Sequence, residues 1–282
     1  MKNATNNSIL ATLTADAYTL GSHWVYDETE LKNLKINWEG LNAPSVEWHG
    51  SKTKGDFTHY GDQTLFLLEY IIKNKKFDKK EYYAFWCDKM KDYKGYIDGA
   101  TKNALETMDS SSSDLSICGR IAPLLLVSTN RDEFLKNVAD FVQITHNTEL
   151  ASEVSQFFAQ LLWDTKENQD IQKNIQNLKS KFPNLEKWID ESTATKNDDT
   201  ISTLQKFGVS CDIDGGFACV IHLLSLDDSF KNIMIKNAKA GGDNSARAMI
   251  VAMIYGITQN TSLPKEWTSE IKEIDLINSY LK

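Results

Sequence analysis

The 282-residue chain predicts an all-α fold in a single domain. Three observations carry that expectation. Only four prolines interrupt the chain. No stretch alternates apolar and polar residues as a half-buried strand does. Two segments, Asn244 to about Ile257 and Leu65 to Ile72, are apolar on nearly every side, the pattern of helices that run through the middle of a protein. Hydrophobic residues at 41% and charged residues at 25% fit a globular chain with a sizeable core. No internal repeat, heptad array or linker divides it, so residues 1–282 read as one domain.

Net charge bounds the partners. At −8 the chain is a poor match for nucleic acid or an anionic membrane. An anionic ligand would need backbone amides, a local cation or a bound metal. The opening MKNATNNSILATL has no apolar run long enough for a signal peptide, and no segment is long enough to span a membrane, so a cytoplasmic location is expected. Cys87, Cys118, Cys211 and Cys219 contain no C-x-x-C pair and read as reduced thiols.

In chain order, the first helix is expected from Ser8 to about Ser22, with Asn6, Asn7 or Ser8 as cap. Ile9, Leu13, Ala17 and Leu20 form its apolar stripe, and Asp16 falls inside that stripe, where a carboxylate needs a partner. A polar loop follows to about Thr58. Then HYGDQTLFLLEYIIKN places Asp62 at the start of the first central helix, and AGGDNSARAMIVAMIYG places Asp243 at the start of the second. Either aspartate alone reads as a helix cap. Two glycine-led aspartates on two buried helices suggest helix starts converging on one cavity, where dipole ends and carboxylates accumulate.

Asp78 with Glu81 and Asn130 with Glu133 are capping-box-like starts for FDKKEYYAFWCDKMKDY and DEFLKNVADFVQIT. Asp98-Gly99 opens a short helix. DSSSSD, from Asp109 to Asp114, is either a linker or a set of hydroxyls and amides around a phosphate. His146 sits in a tight junction before TELASEVSQFFAQLLW. A Gly-Gly pair after Asp214 starts another helix, and the tail reads as closing surface helices.

Taken together, LTADAYTLGSHW, HYGDQT, GRIAPLLLV, QITHN and AGGDNSARAMIVAMIYG, in this order, resemble the ADP-ribosylglycohydrolase family, which includes the dinitrogenase reductase-activating glycohydrolases and the J-crystallins. The resemblance implies a compact helical fold with a central cleft between helix N-termini. It also implies hydrolysis of a glycosidic bond to ADP-ribose assisted by Mg²⁺ or Mn²⁺, with an ADP-ribosylated protein or a small ADP-ribose conjugate as partner. Carboxylate oxygens suit such hard ions, and the metal can activate water.

The chain departs from the family pattern where the metals bind. The Thr-Asp-Asp run is Tyr60-Gly61-Asp62, and the Asp-x-Asp-Thr run is Asp243-Asn244-Ser245-Ala246. His23 stands where an acidic residue is usual, and the phosphate-loop segment is Leu115 to Arg120. The resemblance therefore leaves Asp62, Asp243, Asn244 and Ser245 as candidate ligands for two ions, one, or none. It makes His23, Asp62 and Asp243 the candidate catalytic residues, with Asp16, Asp98, Gly99, Ser116 and His146 as candidate substrate contacts. A non-catalytic descendant, crystallin-like or nucleotide-binding, is the alternative.

Overall fold

The computed structural model describes residues 2–107, 111–259 and 261–282, and among them it is helical with two isolated β-bridges and no strand. The first half contains α1 (Lys2–Thr19), α2 (Glu28–Asn33), α3 (His59–Asn74), α4 (Lys79–Lys91), α5 (Gly99–Thr107) and α6 (Arg131–Val142). The second contains α7 (Glu149–Asn168), α8 (Ile171–Lys179), α9 (Glu186–Ala194), α10 (Thr200–Phe207), α11 (Ile213–Ser225), α12 (Phe230–Lys239), α13 (Asn244–Gly256), α14 (Lys265–Thr268) and α15 (Ile274–Tyr280). Short 3₁₀ turns at Glu47–His49, Leu115–Arg120, Ala122–Leu126 and Pro183–Leu185 join them. No helix among the described residues is long and apolar enough to cross a membrane.

The hub is α13. All its residues but Tyr255 are buried, and it packs lengthwise on α1 and across the Leu115–Arg120 turn, α11 and α12. Met249, Ile250, Val251, Met253 and Ile254 are wholly enclosed, each such side chain contributing roughly 1.5–3 kcal/mol of burial. Gly256 lets α1 come close, because a Cβ there would lie 2.7 Å from the Ala11 Cβ. Polar ties complete the seam: Ser8 Oγ donates to the Met253 carbonyl at 2.7 Å and the Asn7 amide to that of Gly256 at 2.8 Å.

Those ties correct one expected boundary. Because the polar side chains of Asn6, Asn7 and Ser8 bond to distant carbonyls rather than to the next turn, α1 starts at Lys2 instead of Ser8. The start of α3 also differs from expectation: Thr58 caps it, its Oγ1 accepting from the Tyr60 amide, and Asp62 sits in the first turn. Likewise α11 begins at Ile213, ahead of Asp214 and the Gly-Gly pair. The caps expected at Asp78 and Asn130 are present. The tail is less superficial than its composition suggests, since Trp267 is fully buried and stacks on Tyr18 at 3.8 Å between ring centroids. Asp109 and Ser110 of the serine-rich loop lie outside the described residues.

Candidate functional site

Chain direction brings the starts of α3 and α13 and the end of α1 to one end of the core. Gly241 and Gly242 make this possible at α13. Both adopt the left-handed region, with φ +70° and +62°, and a Cβ on Gly242 would lie 2.1 Å from the Val209 carbonyl oxygen. The turn lets the Gly242 amide donate to the Val25 carbonyl and the Trp24 amide to that of Gly242, each at 2.8 Å. Arg247, one turn into α13, ties the same loop from below. Its guanidinium donates to the Gly241 carbonyl at 2.6 Å, the Asn237 amide oxygen at 2.9 Å and the Val209 carbonyl at 3.4 Å.

Asp243 caps α13, with Oδ1 accepting from the Ala246 amide at 3.4 Å. Its Oδ2 accepts from the Tyr60 hydroxyl at 3.2 Å, and Oδ1 lies 3.5 Å from His23 Nδ1. Burial pushes this carboxyl up to about 7, against the pull of Arg247 and the Ala246 N–H. Asp62 makes a separate set of contacts: the Lys52 ammonium and the Tyr93 hydroxyl both donate to its Oδ2. With Lys52, Phe66, Glu69 and Tyr93 it lines a cavity of about 500 Å³.

Asp16 is fully buried and wholly engaged, as its place in the apolar stripe of α1 demands. Thr58 gives it both a backbone N–H (2.8 Å) and its hydroxyl (2.6 Å), and the Ser245 hydroxyl donates to Oδ1. Burial raises its carboxyl above the ordinary range despite these donors. The carboxylate thus bolts the N-cap of α3 to the first turn of α13. Gly61 serves this contact, since a Cβ there would lie 2.2 Å from Asp16 Oδ2. Asn244 points elsewhere, its amide donating to Ser22 Oγ at 2.8 Å.

A second network runs beside this one. Asp98 caps α5 through the Thr101 amide (2.7 Å) and hydroxyl (3.0 Å), and its Oδ2 lies 3.3 Å from His59 Nε2. Burial would raise its carboxyl, but His59, Arg120 and the Thr101 N–H outweigh that and hold it well below the usual range. Arg120 donates to Gln63 Oε1 (3.1 Å) and Ser116 Oγ (2.8 Å), with its guanidinium 5.0 Å from the Tyr60 ring centroid. His146 shares a 2.8 Å hydrogen bond between Nδ1 and Thr145, and burial pushes its ring down to about 3. At Gly99 a Cβ would meet nothing within 4 Å, so packing does not require glycine there.

The structure therefore gathers Asp16, Ser245, His23, Asp243 and Asn244 at one end of α13. Asp98 and Ser116 belong to the adjoining Arg120 network, and Asp62 turns toward Lys52. Several neighbours carry no assigned role in the sequence reading. Tyr60, Gln63, Arg120 and Arg247 lie inside the family-like stretches without being singled out as contacts, and Thr58 and Tyr93 are ordinary types that nothing local marks. His49 is a loop residue that carries no periodic signal, yet it packs against His23 and His59 at centroid separations of 5.2 and 5.8 Å. Trp24, with φ +63°, stacks on both His23 (4.7 Å) and His49 (5.1 Å), and Tyr96 closes edge-on at 4.9 Å from Trp24.

Comparison with known proteins matches this architecture. Crystallin J1A of Tripedalia cystophora is 24% identical over 317 residues, covering 99% of this chain and 95% of the relative. Crystallin J1B of the same organism is 24% identical over 300 residues, covering 95% and 92%. A solved chain described as an ADP-ribosylglycohydrolase-related protein complex shares the fold at a TM-score of 0.73 and 16% identity, covering 99% of this chain and 96% of that one. The ADP-ribosylglycohydrolase family model matches residues 3–282, and the chain belongs to that family.

Proposed function

We propose that this chain keeps the ADP-ribosylglycohydrolase scaffold without its metal-assisted hydrolysis, and serves as a non-catalytic, crystallin-like member. One observation carries the reading: of the four side chains expected to hold hard ions, Asp62, Asp243 and Ser245 are engaged by the protein itself, and only Asn244 Oδ1 is left without a partner. Mg²⁺ and Mn²⁺ need several free oxygen donors in near-octahedral array. Here an ammonium from Lys52 sits on Asp62, the Ser245 hydroxyl donates to Asp16, and the Tyr60 hydroxyl donates to Asp243. The bulky Tyr60 and the bare Gly61 replace one hydroxyl and one carboxylate of the family pattern. The residues present do not fit a two-ion centre.

The competing reading is hydrolysis of a glycosidic bond to ADP-ribose with His23 as general base. Its support is the 3.5 Å approach of His23 to Asp243. Against it, His23 is fully buried under Trp24, and burial together with His49 and His59 drives its ring well below the ordinary histidine range, which makes it a poor proton acceptor.

The test is release of ADP-ribose from arginine- and serine-linked conjugates with Mg²⁺ or Mn²⁺, run beside calorimetric titration of ADP-ribose. No release and no binding heat are expected. Metal-dependent release abolished by Asp243→Ala overturns the proposal in favour of the hydrolase. Saturable binding without release would replace the packing role with a nucleotide-binding one.

A further inference from the structure

We propose that His23, His49 and His59 form a three-imidazole site for a borderline transition metal of the Zn²⁺ type. Each side chain offers one ligand atom such that all three lie within 4.8 Å of one another. The three come from separate places: the turn after α1, the Glu47–His49 turn and the first residue of α3. All three are essentially fully buried, and none of their six ring nitrogens has a hydrogen-bond partner. Each buried nitrogen left so costs roughly 1–3 kcal/mol, and buried polar groups in folded proteins rarely stay unpaired in such number. A shared cation that takes one lone pair from each ring removes three of those deficits at once.

Donor chemistry selects the metal. Neutral imidazoles suit Zn²⁺, Cu²⁺ and Ni²⁺, whereas Mg²⁺ and Mn²⁺ prefer oxygen. A tetrahedral ion with metal–nitrogen bonds of 2.0–2.1 Å sets its ligand atoms about 3.3–3.4 Å apart. From the 4.8 Å limit the trio must draw in by about 1.5 Å, which side-chain torsions supply.

Outer carboxylates are already in place. Asp243 Oδ1 lies 3.5 Å from His23 Nδ1, and Asp98 Oδ2 lies 3.3 Å from His59 Nε2. Neither contact has hydrogen-bond alignment; with His23 coordinating through Nε2 and His59 through Nδ1, each carboxylate would stand behind its ring, where it fixes the tautomer and raises basicity. Trp24 stacks on both His23 and His49, and a water would complete the fourth position.

The site is independent of whether ADP-ribose is cleaved, and its readouts are binding and spectra. Calorimetric titration of the full-length, chelator-treated protein with Zn²⁺ should show one equivalent bound. Co²⁺ should give the visible d–d bands of a tetrahedral centre and quench tryptophan emission from Trp24. His49→Ala and His59→Ala should each weaken binding by roughly 100-fold or more, while Cys211→Ser leaves it unchanged. That last variant guards against the other cluster with metal-ligand spacing, Asp114, Cys211 and Asp212. Absence of binding at 100-fold excess metal overturns the proposal. So do equal affinities in wild type and both histidine variants, or a thiolate-to-cobalt charge-transfer band that disappears in Cys211→Ser. Should the variants not fold, the wild-type spectrum decides alone: octahedral, weakly absorbing Co²⁺ counts against the site.

Discussion

The starts of α3 and α13 look alike in sequence and differ in structure. Each has glycine, then aspartate, then an apolar helix. At α13 the aspartate is the cap, fully buried, with Arg247 beneath it and the two left-handed glycines ahead of it. At α3 the cap is Thr58, so the aspartate falls four residues later, in the first helical turn. At about 100° per residue that shift turns Asp62 from the helix axis toward the side of α3. There Lys52 and Tyr93 meet it at the edge of an open cavity. Register against the cap, and not the residue pair itself, decides which carboxylate enters the core.

The largest break in this comparison should come from Arg247→Met. Its guanidinium is buried with three acceptors, two of them backbone carbonyls: Gly241, in the turn ahead of Asp243, and Val209, which also accepts from the Asp243 amide. Methionine leaves those acceptors unpaired and takes away the cation that faces Asp243. A loss of roughly 3–5 kcal/mol is expected, read as a shifted midpoint in urea unfolding. A loss below 1 kcal/mol would mean that the Gly-Gly turn holds its shape without the arginine.

Asp243→Asn is the intermediate case, and its effect depends on pH. In the fold burial raises this carboxyl to about 7 from an ordinary 3.8. Between those values the native chain holds a proton that the unfolded chain has released, so wild-type stability falls as pH rises through the window and levels off above about 7. Asparagine does not titrate and can still accept from the Ala246 N–H. Stability of the variant relative to wild type should therefore improve by about 1.4 kcal/mol per pH unit across that window. Parallel stability–pH curves for the two proteins would remove Asp243 as a buried titrating group.

The difference between the two helix starts also marks how far sequence reading reaches. Helical periodicity and apolar content place both ends of α13 within a residue and the bodies of α3, α6 and α7, one end of each of which lies three to five residues from expectation, because burial on a 3.6-residue period is a local signal that marks a helix better than its ends. The stripe on α1 likewise exposes Asp16 as a carboxylate in need of a partner. Its partners, Thr58 and Ser245, lie 42 and 229 residues away along the chain, and no spacing rule connects them. The start of α1 was obscured for the same reason: Asn7 and Ser8 look like caps because their chemistry is that of caps, and only the packed α13 shows where their hydrogen bonds go. His49 is the extreme instance, a loop residue whose meaning rests on His23 and His59.

Asp62→Asn should have the smallest effect of the three, and it sharpens the comparison most. Asp62 and Lys52 are each about 15% exposed, and the Tyr93 hydroxyl also donates to the carboxylate. Asparagine can still accept from both Lys52 and Tyr93, so what it removes is the charge, in a pair that water partly screens. A stability change within about 1 kcal/mol follows, and raising salt should shrink it further. If Asp62 instead belonged with Asp243 in one buried carboxylate pair, its neutralisation would relieve repulsion, and the Asp62→Asn protein would be more stable than wild type by an amount that vanished in the Asp243→Asn background. A double-mutant cycle over the two positions separates these outcomes: additivity keeps the two helix starts as independent devices, and a coupling above 1 kcal/mol joins them in a single site.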